Sequence, residues 1–307
     1  MLSALTLDQL RVLTTIADCG SFSAAGRKLL RVQSAISQSV RTLEETQGVM
    51  LFDRSSKTPV LTEAGRVLVA QARQVQRQAE LFESIARDIA AGLEPELTLA
   101  VDSFMPTQPV IDSLQGLRET YPNLPVTLYT EGLGAAERRL RNRSAALALC
   151  VMFPTAQQDL QAYPLTSIAL VPVVSSSHRL ANEPRAITRE VLQEHVQLIL
   201  TDPSDSSGPS HGVVASRVWR FVDMGSRLDF LLAGSGWATI PSHLVAPFLA
   251  NGRLVALRIQ DPGVTPAFIP IFAAHERSRP PRLAARWLLK DLRKRLSPPD
   301  AQQAETA

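Results

Sequence analysis

Three groups of residues in this sequence have types and spacings that bear on chemistry. The first is the run Gln33-Ser-Ala-Ile-Ser-Gln-Ser-Val-Arg41, in which Gln33, Ser34, Ser37, Gln38 and Arg41 fall on or near one face of a helix. Glutamine matches the adenine edge, arginine the guanine edge or a phosphate, and serine several edges, so this face suits the major groove of DNA. The second group is Ser103 and Thr201, two hydroxyls expected just beyond strand ends, where backbone N–H groups can hold a carboxylate. The third group fails as chemistry. Gly234-Ser-Gly-Trp-Ala-Thr239 has the look of a dinucleotide loop, but it lacks the third glycine and precedes a strand, so a tight helix-to-strand turn is expected. His178, His195, His211, His243 and His275 are scattered without metal-ligand spacing. There is no nucleophile elbow, P-loop or pair of catalytic carboxylates. These patterns predict neither an enzyme nor a resident metal or cofactor.

The elements that must position the first group lie at the N-terminus. Leu7, Leu10, Leu13 and Ile16 recur every three residues and predict a helix over Leu7–Cys19, stopped by Gly20. Ser21 caps a second helix, Phe22–Leu29. After a turn at Leu30 to Val32, a third helix starts near Gln33, with Ala35, Ile36, Val40 and Leu43 expected to pack inward. Two helices separated by a short turn, the second presenting polar residues at its N-terminal end, form the helix-turn-helix arrangement. The segment from Leu51 to Leu61 then reads as a polar hairpin. It would carry Arg54 and Lys57 to the phosphates or the minor groove.

Thr62 caps a long uninterrupted helix that reaches about Ala91. Leu68, Val75, Phe82 and Ile89 recur every seven residues, with Ala72, Ala79 and Ala86 between them, which predicts a heptad seam that seeks a partner helix. Beyond the hinge Gly92-Leu-Glu-Pro95, strand and helix patterns alternate. Strands are expected over Leu97–Asp102, Val126–Glu131 and 146–151, with helices over 109–120 and 135–143 between them. A second series has strands over 168–175, Gln197–Leu200 and 237–240, with helices over 188–195 and 227–233. A last strand over 268–274 and a helix over 281–296 close the pattern. Such alternation predicts an α/β region with mostly parallel sheet. Ligands bind outside the carboxyl ends of strands in such sheets, here Ser103 and Phe104, Glu131, Phe153, and Thr201 with Asp202.

The modest net charge does not support a broad polyanion-binding surface, and the local distribution of charge matters more than the total. The chain has 307 residues, 45% hydrophobic, with a net charge of +3. Its longest apolar runs are far short of the ~20 residues that span a bilayer, and no signal peptide precedes the first helix, so no membrane association and a cytoplasmic location are expected. Cys19 and Cys150 are expected to be reduced, buried thiols. The tail, residues 298–307, reads as disordered.

The order Ser21-Phe-Ser-Ala-Ala25, Gln33-Ser-Ala-Ile-Ser37, Leu43-Glu44-Glu45, Gly48, Leu51-Phe52-Asp53-Arg54 and Leu61-Thr62-Glu63-Ala64-Gly65 resembles the LysR-type transcriptional regulators over about 60 residues. Pro172 to Ala181, Gly234 to Pro241 and Gly252-Arg-Leu254 resemble the same family more weakly. The resemblance implies a winged helix-turn-helix in residues 1–61 with Gln33, Ser34, Ser37 and Gln38 reading bases and Arg54 on the wing. It implies a dimerisation helix in 62–91. It also implies an effector domain in 92–297, similar to periplasmic binding proteins, with two α/β lobes at about 94–165 with 268–297 and about 166–267. The implied function is regulation at promoter DNA by a dimer or tetramer, with Ser103 and Thr201 contacting a small-molecule effector such as a carboxylate. Two departures stand out: Val32 occupies the usual Ser or Thr cap, and Gln38 stands where many members carry arginine.

Overall fold

A computed structural model of the chain describes residues 5–53, 55, 59–152, 159–202, 212–261, 263 and 267–296. It divides into two compact units, residues 1–91 and 92–307.

In the first unit, α1 (Leu7–Cys19) is opened by a reciprocal cap in which the Thr6 hydroxyl accepts from the Gln9 N–H. Gly20 ends α1 in the left-handed conformation that glycine adopts at least cost. α2 (Phe22–Leu29) is capped by Ser21, whose hydroxyl accepts from the Ala24 N–H at 3.1 Å. α3 (Gln33–Gln47) follows Val32, which makes no side-chain cap bond. Leu10, Leu13, Ile16, Ala25, Ile36, Val40 and Leu43 fill one core between these helices. Two residues expected on the buried faces are instead exposed, Leu7 and Ala35, because each stands in the first turn of its helix, beyond the reach of its neighbours. Strands β1 (Phe52–Asp53) and β2 (Val60–Leu61) pair antiparallel as a short hairpin, and α4 (Glu63–Ala90) follows, capped by Thr62.

The second unit is built on a nine-stranded sheet. Its first end holds β3 (Leu97–Asp102) between β4 (Val126–Glu131) and β5 (Leu147–Val151), all parallel, with α5 (Thr107–Thr120) and α6 (Ala135–Arg141) as crossovers. Its other end holds β7 (Gln197–Leu200) parallel to both β8 (Val218–Phe221) and β9 (Trp237–Pro241), with α7 (Arg189–Glu194) before β7 and α8 (Met224–Leu232) between β8 and β9. The two ends, hereafter lobes, are joined by β6 (Leu160–Ser175) and β11 (Phe268–Glu276), which run antiparallel. β6 pairs with β11 up to Ala169 and with β9 from Leu170 onward, so a single 16-residue strand serves both lobes. α9 (Ser242–Ala250), β10 (Leu254–Ala256) and α10 (Leu283–Leu296) complete the unit. The first turn of α10 is held by Glu94, whose carboxylate accepts from the Ala284 and Ala285 N–H groups at 2.9 and 3.0 Å.

The second unit departs from expectation in four elements. The first half of β6 had no strand signal, because Pro164 and the polar Gln161, Thr166 and Ser167 interrupt its pattern. β8 and β10 are too short to announce themselves, and α9 contains Pro247. The predicted tail, 298–307, lies outside the described residues. Among the described residues no helix is long and apolar enough to cross a membrane.

Candidate functional site

Two sites emerge, one in each unit. In the first, α3 exposes Gln33, Ser34, Gln38 and Arg41, with Ser37 half-buried beside them. Its opposite face, Ile36, Val40 and Leu43, is packed in the core, so the polar face is presented by a helix that cannot rotate. Gln33 receives a hydrogen bond from the Ser23 hydroxyl at 2.6 Å, which ties the start of α3 to α2 where Val32 supplies no cap. The Gln38 amide reaches Thr42 at 3.5 Å, one turn along.

Glu44 holds the hairpin in register with α3, a role that reading the sequence did not reveal. Its carboxylate, only 5% exposed, accepts from the backbone N–H groups of Leu51 at 2.8 Å and Phe52 at 3.2 Å. The far strand is fixed to α4: the Thr62 hydroxyl donates to the Met50 carbonyl at 2.8 Å, and its N–H donates to the Leu51 carbonyl at 3.1 Å. Gly65 lies so close to that same carbonyl that any Cβ would overlap it. Arg54 and Lys57, the predicted phosphate contacts, lie outside the described residues.

The seam predicted on α4 is only partly free. Ala72 is 3% exposed and belongs to the core of its own unit, and Leu68 packs against that core, because α1 lies along the first half of α4. Thr14 and Asp18 of α1 further bind Gln76 and Arg73. Further along, Val75, Phe82 and Ile89 are exposed, Phe82 by 73%; Ala86 is exposed and Ala79 half-buried. At the other end of the helix, Val49, Met50, Ala64, Val67 and Leu68 line a separate apolar groove.

The second site lies at the carboxyl ends of the strands. The Ser103 N–H donates to the Glu131 carbonyl at 2.9 Å, joining the ends of β3 and β4, and the Thr201 N–H donates to the Phe221 carbonyl at 2.8 Å, joining the ends of β7 and β8. The Ser103 Oγ is buried and makes no hydrogen bond. Phe104 points into the hydrophobic core with Met105 and Val110, so its contribution is packing. Phe153 lies outside the described residues.

Asp102, 1% exposed, accepts from the Phe104 N–H at 3.0 Å through one oxygen and leaves the other unbonded. Burial pushes its pKa up to about 6, against the pull of the Phe104 and Val151 N–H groups. The nearby Ser103 hydroxyl also lowers it, though without the alignment of a full hydrogen bond. In the other lobe Arg227, 4% exposed, donates through Nε and Nη2 to the Leu198 carbonyl at 3.0 and 2.9 Å, and through Nη2 to the Thr239 carbonyl at 3.0 Å. It stitches β7 to β9, and its burial without a carboxylate lowers its pKa to about 10.

The lobes meet where the chain leaves β4 and β7. Arg138 of α6 pairs with Asp202 at 2.5 Å, a contact across 64 positions of sequence. Asp202 was an expected effector contact; Arg138 was not singled out, since nothing local distinguishes it from Arg139 and Arg141. Other ion pairs among the described residues of this unit, such as Arg139 with Glu131 and Arg141 with Asp159, lie within a single lobe. His178 and His195 meet edge to face at 5.1 Å, but among the described residues no three candidate ligands could hold a metal ion. Cys150 is buried and Cys19 only half-buried, and both are free thiols.

Known proteins share both parts. Residues 7–66 match the family described as bacterial regulatory helix-turn-helix protein, lysR family, and residues 90–297 match the LysR substrate binding domain. The HTH-type transcriptional regulator AceR of Acinetobacter baumannii is 29% identical over 295 residues, covering 95% of this chain and 98% of that protein. YhaJ of Escherichia coli O157:H7, an HTH-type transcriptional regulator, is also 29% identical, over 95% of this chain and 97% of its own length. Among solved structures, an OxyR mutant from Corynebacterium glutamicum aligns with a TM-score of 0.56 at 22% identity, over 94% of this chain and 92% of that one. CbnR, a LysR family transcriptional regulator, aligns with the same score at 18% identity, over 94% and 100%. At these identities the structural likeness speaks for the fold.

Proposed function

The chain belongs to the LysR family of transcriptional regulators, with a helix-turn-helix DNA-binding part and an effector-binding part, and we propose how its residues divide that work. Gln33, Ser34, Ser37, Gln38 and Arg41 read base edges in the major groove, while Arg54 and Lys57 of the wing neutralise phosphates. The observation that carries this reading is the exposed polar face of α3, locked from behind by its own core and by Glu44. A promoter site would be bound in the cytoplasm by two copies, because one recognition helix reads only a half-site.

The two copies pair through α4. Val75, Phe82 and Ile89 stand exposed along the second half of this helix, and the interface centres on Val75, Ala79, Phe82, Ala86 and Ile89. A tetramer would need a further contact between effector domains. The effector itself is a small carboxylate taken between Ser103 and Thr201, with Asp202 at the rim. The buried, unbonded Ser103 hydroxyl supports this, since such a group costs free energy until a ligand satisfies it.

Retardation of DNA from upstream of the chain's own gene, at moderate salt, tests the first part: specific retardation is expected, and binding no tighter than to scrambled DNA contradicts it. For the second part, a thermal-shift screen of small carboxylates on the wild type and Ser103→Ala is decisive. Stabilisation of the wild type that Ser103→Ala loses is expected, and equal stabilisation of both removes Ser103 from the site.

A further inference from the structure

The Arg138–Asp202 pair links the outer margins of the two lobes. β4, which leads into Arg138, is the terminal strand at one end of the sheet, and β7, which leads into Asp202, lies next to the terminal strand at the other. β6 and β11, which cross between the lobes, lie in the middle of that order. The pair therefore joins the lobes by side chains, in addition to the crossover strands that join them by backbone. Backbone shape makes room for it. Gly134 is left-handed, at φ +76°, and the Asp202 carboxylate rests against it so closely that any Cβ would overlap. Beside it, a Cβ on Gly132 would come within 2.7 Å of the Val222 carbonyl, so the two loops touch along their backbones as well.

We propose that the place held by the Asp202 carboxylate is the anion subsite of the cleft. In the resting protein Asp202 fills it and clasps the lobes; an incoming carboxylate takes Asp202's place on Arg138 and transfers the clasp to the ligand. This rests on the reading of the cleft as the effector site and names the residue that recognises the ligand's charge. The chemistry fits. Arg138 and Asp202 keep 38% and 20% of their side-chain surface, so water reaches the pair and weakens it enough for the partners to exchange. A guanidinium accepts any carboxylate in the same planar geometry, so an outside anion competes on equal terms. The ligand that wins is one whose other groups also bond the cleft, because only differential affinity shifts the balance between arrangements.

Hydrogen exchange of the full-length protein, followed by mass spectrometry, tests the proposal with acetate as the probe. Asp202→Ala should raise exchange roughly fivefold in peptides covering 132–138 and 198–202 and leave α3 unchanged. Sodium acetate at about 0.1 M should restore protection where sodium chloride at equal ionic strength does not. Acetate should fail to rescue Asp202→Ala combined with Arg138→Gln. Asp202→Asn, which keeps the shape without the charge, should loosen the same peptides and guards against a folding defect. Wild-type exchange in both single variants overturns the clasp, and acetate no better than chloride overturns the anion subsite. Because acetate stands in for the effector, this outcome is independent of the Ser103→Ala screen, and either reading can fail alone.

Discussion

The polar face of α3 and the strand-end site proposed for the effector are built on opposite principles. The first is convex and contiguous: five side chains within nine positions project from one helix, whose back is buried. The second is assembled from strand ends spread over a hundred positions, and its polar groups are buried, partly unbonded or shared between lobes. A recognition surface that must fit a rigid duplex gains from a rigid support. A cleft that must respond to a ligand gains from contacts that can be exchanged.

That contrast can be broken at its supports. Glu44→Ala leaves the Leu51 and Phe52 N–H groups buried without their acceptor and should destabilise the first unit by about 2–4 kcal/mol. Arg227→Ala removes three hydrogen bonds from the interior of the second unit and should cost a similar amount, about 2–3 kcal/mol. In denaturant titrations that follow each unit separately, each substitution should shift only its own transition; a joint shift would mean that the supports are not independent. Next in size, Phe82→Asp places a charge in the middle of the α4 stripe and should weaken self-association at least about tenfold in sedimentation analysis. Unchanged association would move the dimer contact elsewhere.

The smallest effect concerns Asp102, whose carboxyl is harder to ionise in the folded chain than in the unfolded one, about 6 against 3.8. Its contribution to stability is therefore complete below about pH 4 and is lost as pH rises through 6. Asp102→Asn should flatten this fall, gaining about 1–2 kcal/mol at pH 7 relative to the wild type, as read from melting curves between pH 4 and 7. Parallel pH profiles for the two proteins would place the proton elsewhere.

The same contrast explains what could be read from the sequence alone. Helices α1 to α3 were legible because their signals are local: Ser21 as a cap, Gly20 as a stop, and apolar residues at helical spacing. The polar face of α3 followed from the same periodicity. Strands β3 and β7 showed equally well by their apolar content, and β4 by its alternation of apolar and polar residues. Glu44, Arg227 and Arg138 did not, because a buried carboxylate or guanidinium is distinguished only by partners brought to it by the fold. Ala72 fitted the heptad as well as Ala79 did, and only the placement of α1 separates them. The long β6 was half hidden because the same strand faces different neighbours in each lobe, so no single alternation runs through it.

The central claim, that α3 reads bases while the wing holds the backbone, is tested most directly by the ratio of specific to non-specific DNA affinity, measured by anisotropy at fixed salt for the wild type, Gln38→Ala and Arg54→Ala. Gln38→Ala should lower that ratio about tenfold while non-specific affinity holds, and Arg54→Ala should weaken both affinities together. Equal loss on both DNAs for Gln38→Ala would contradict it.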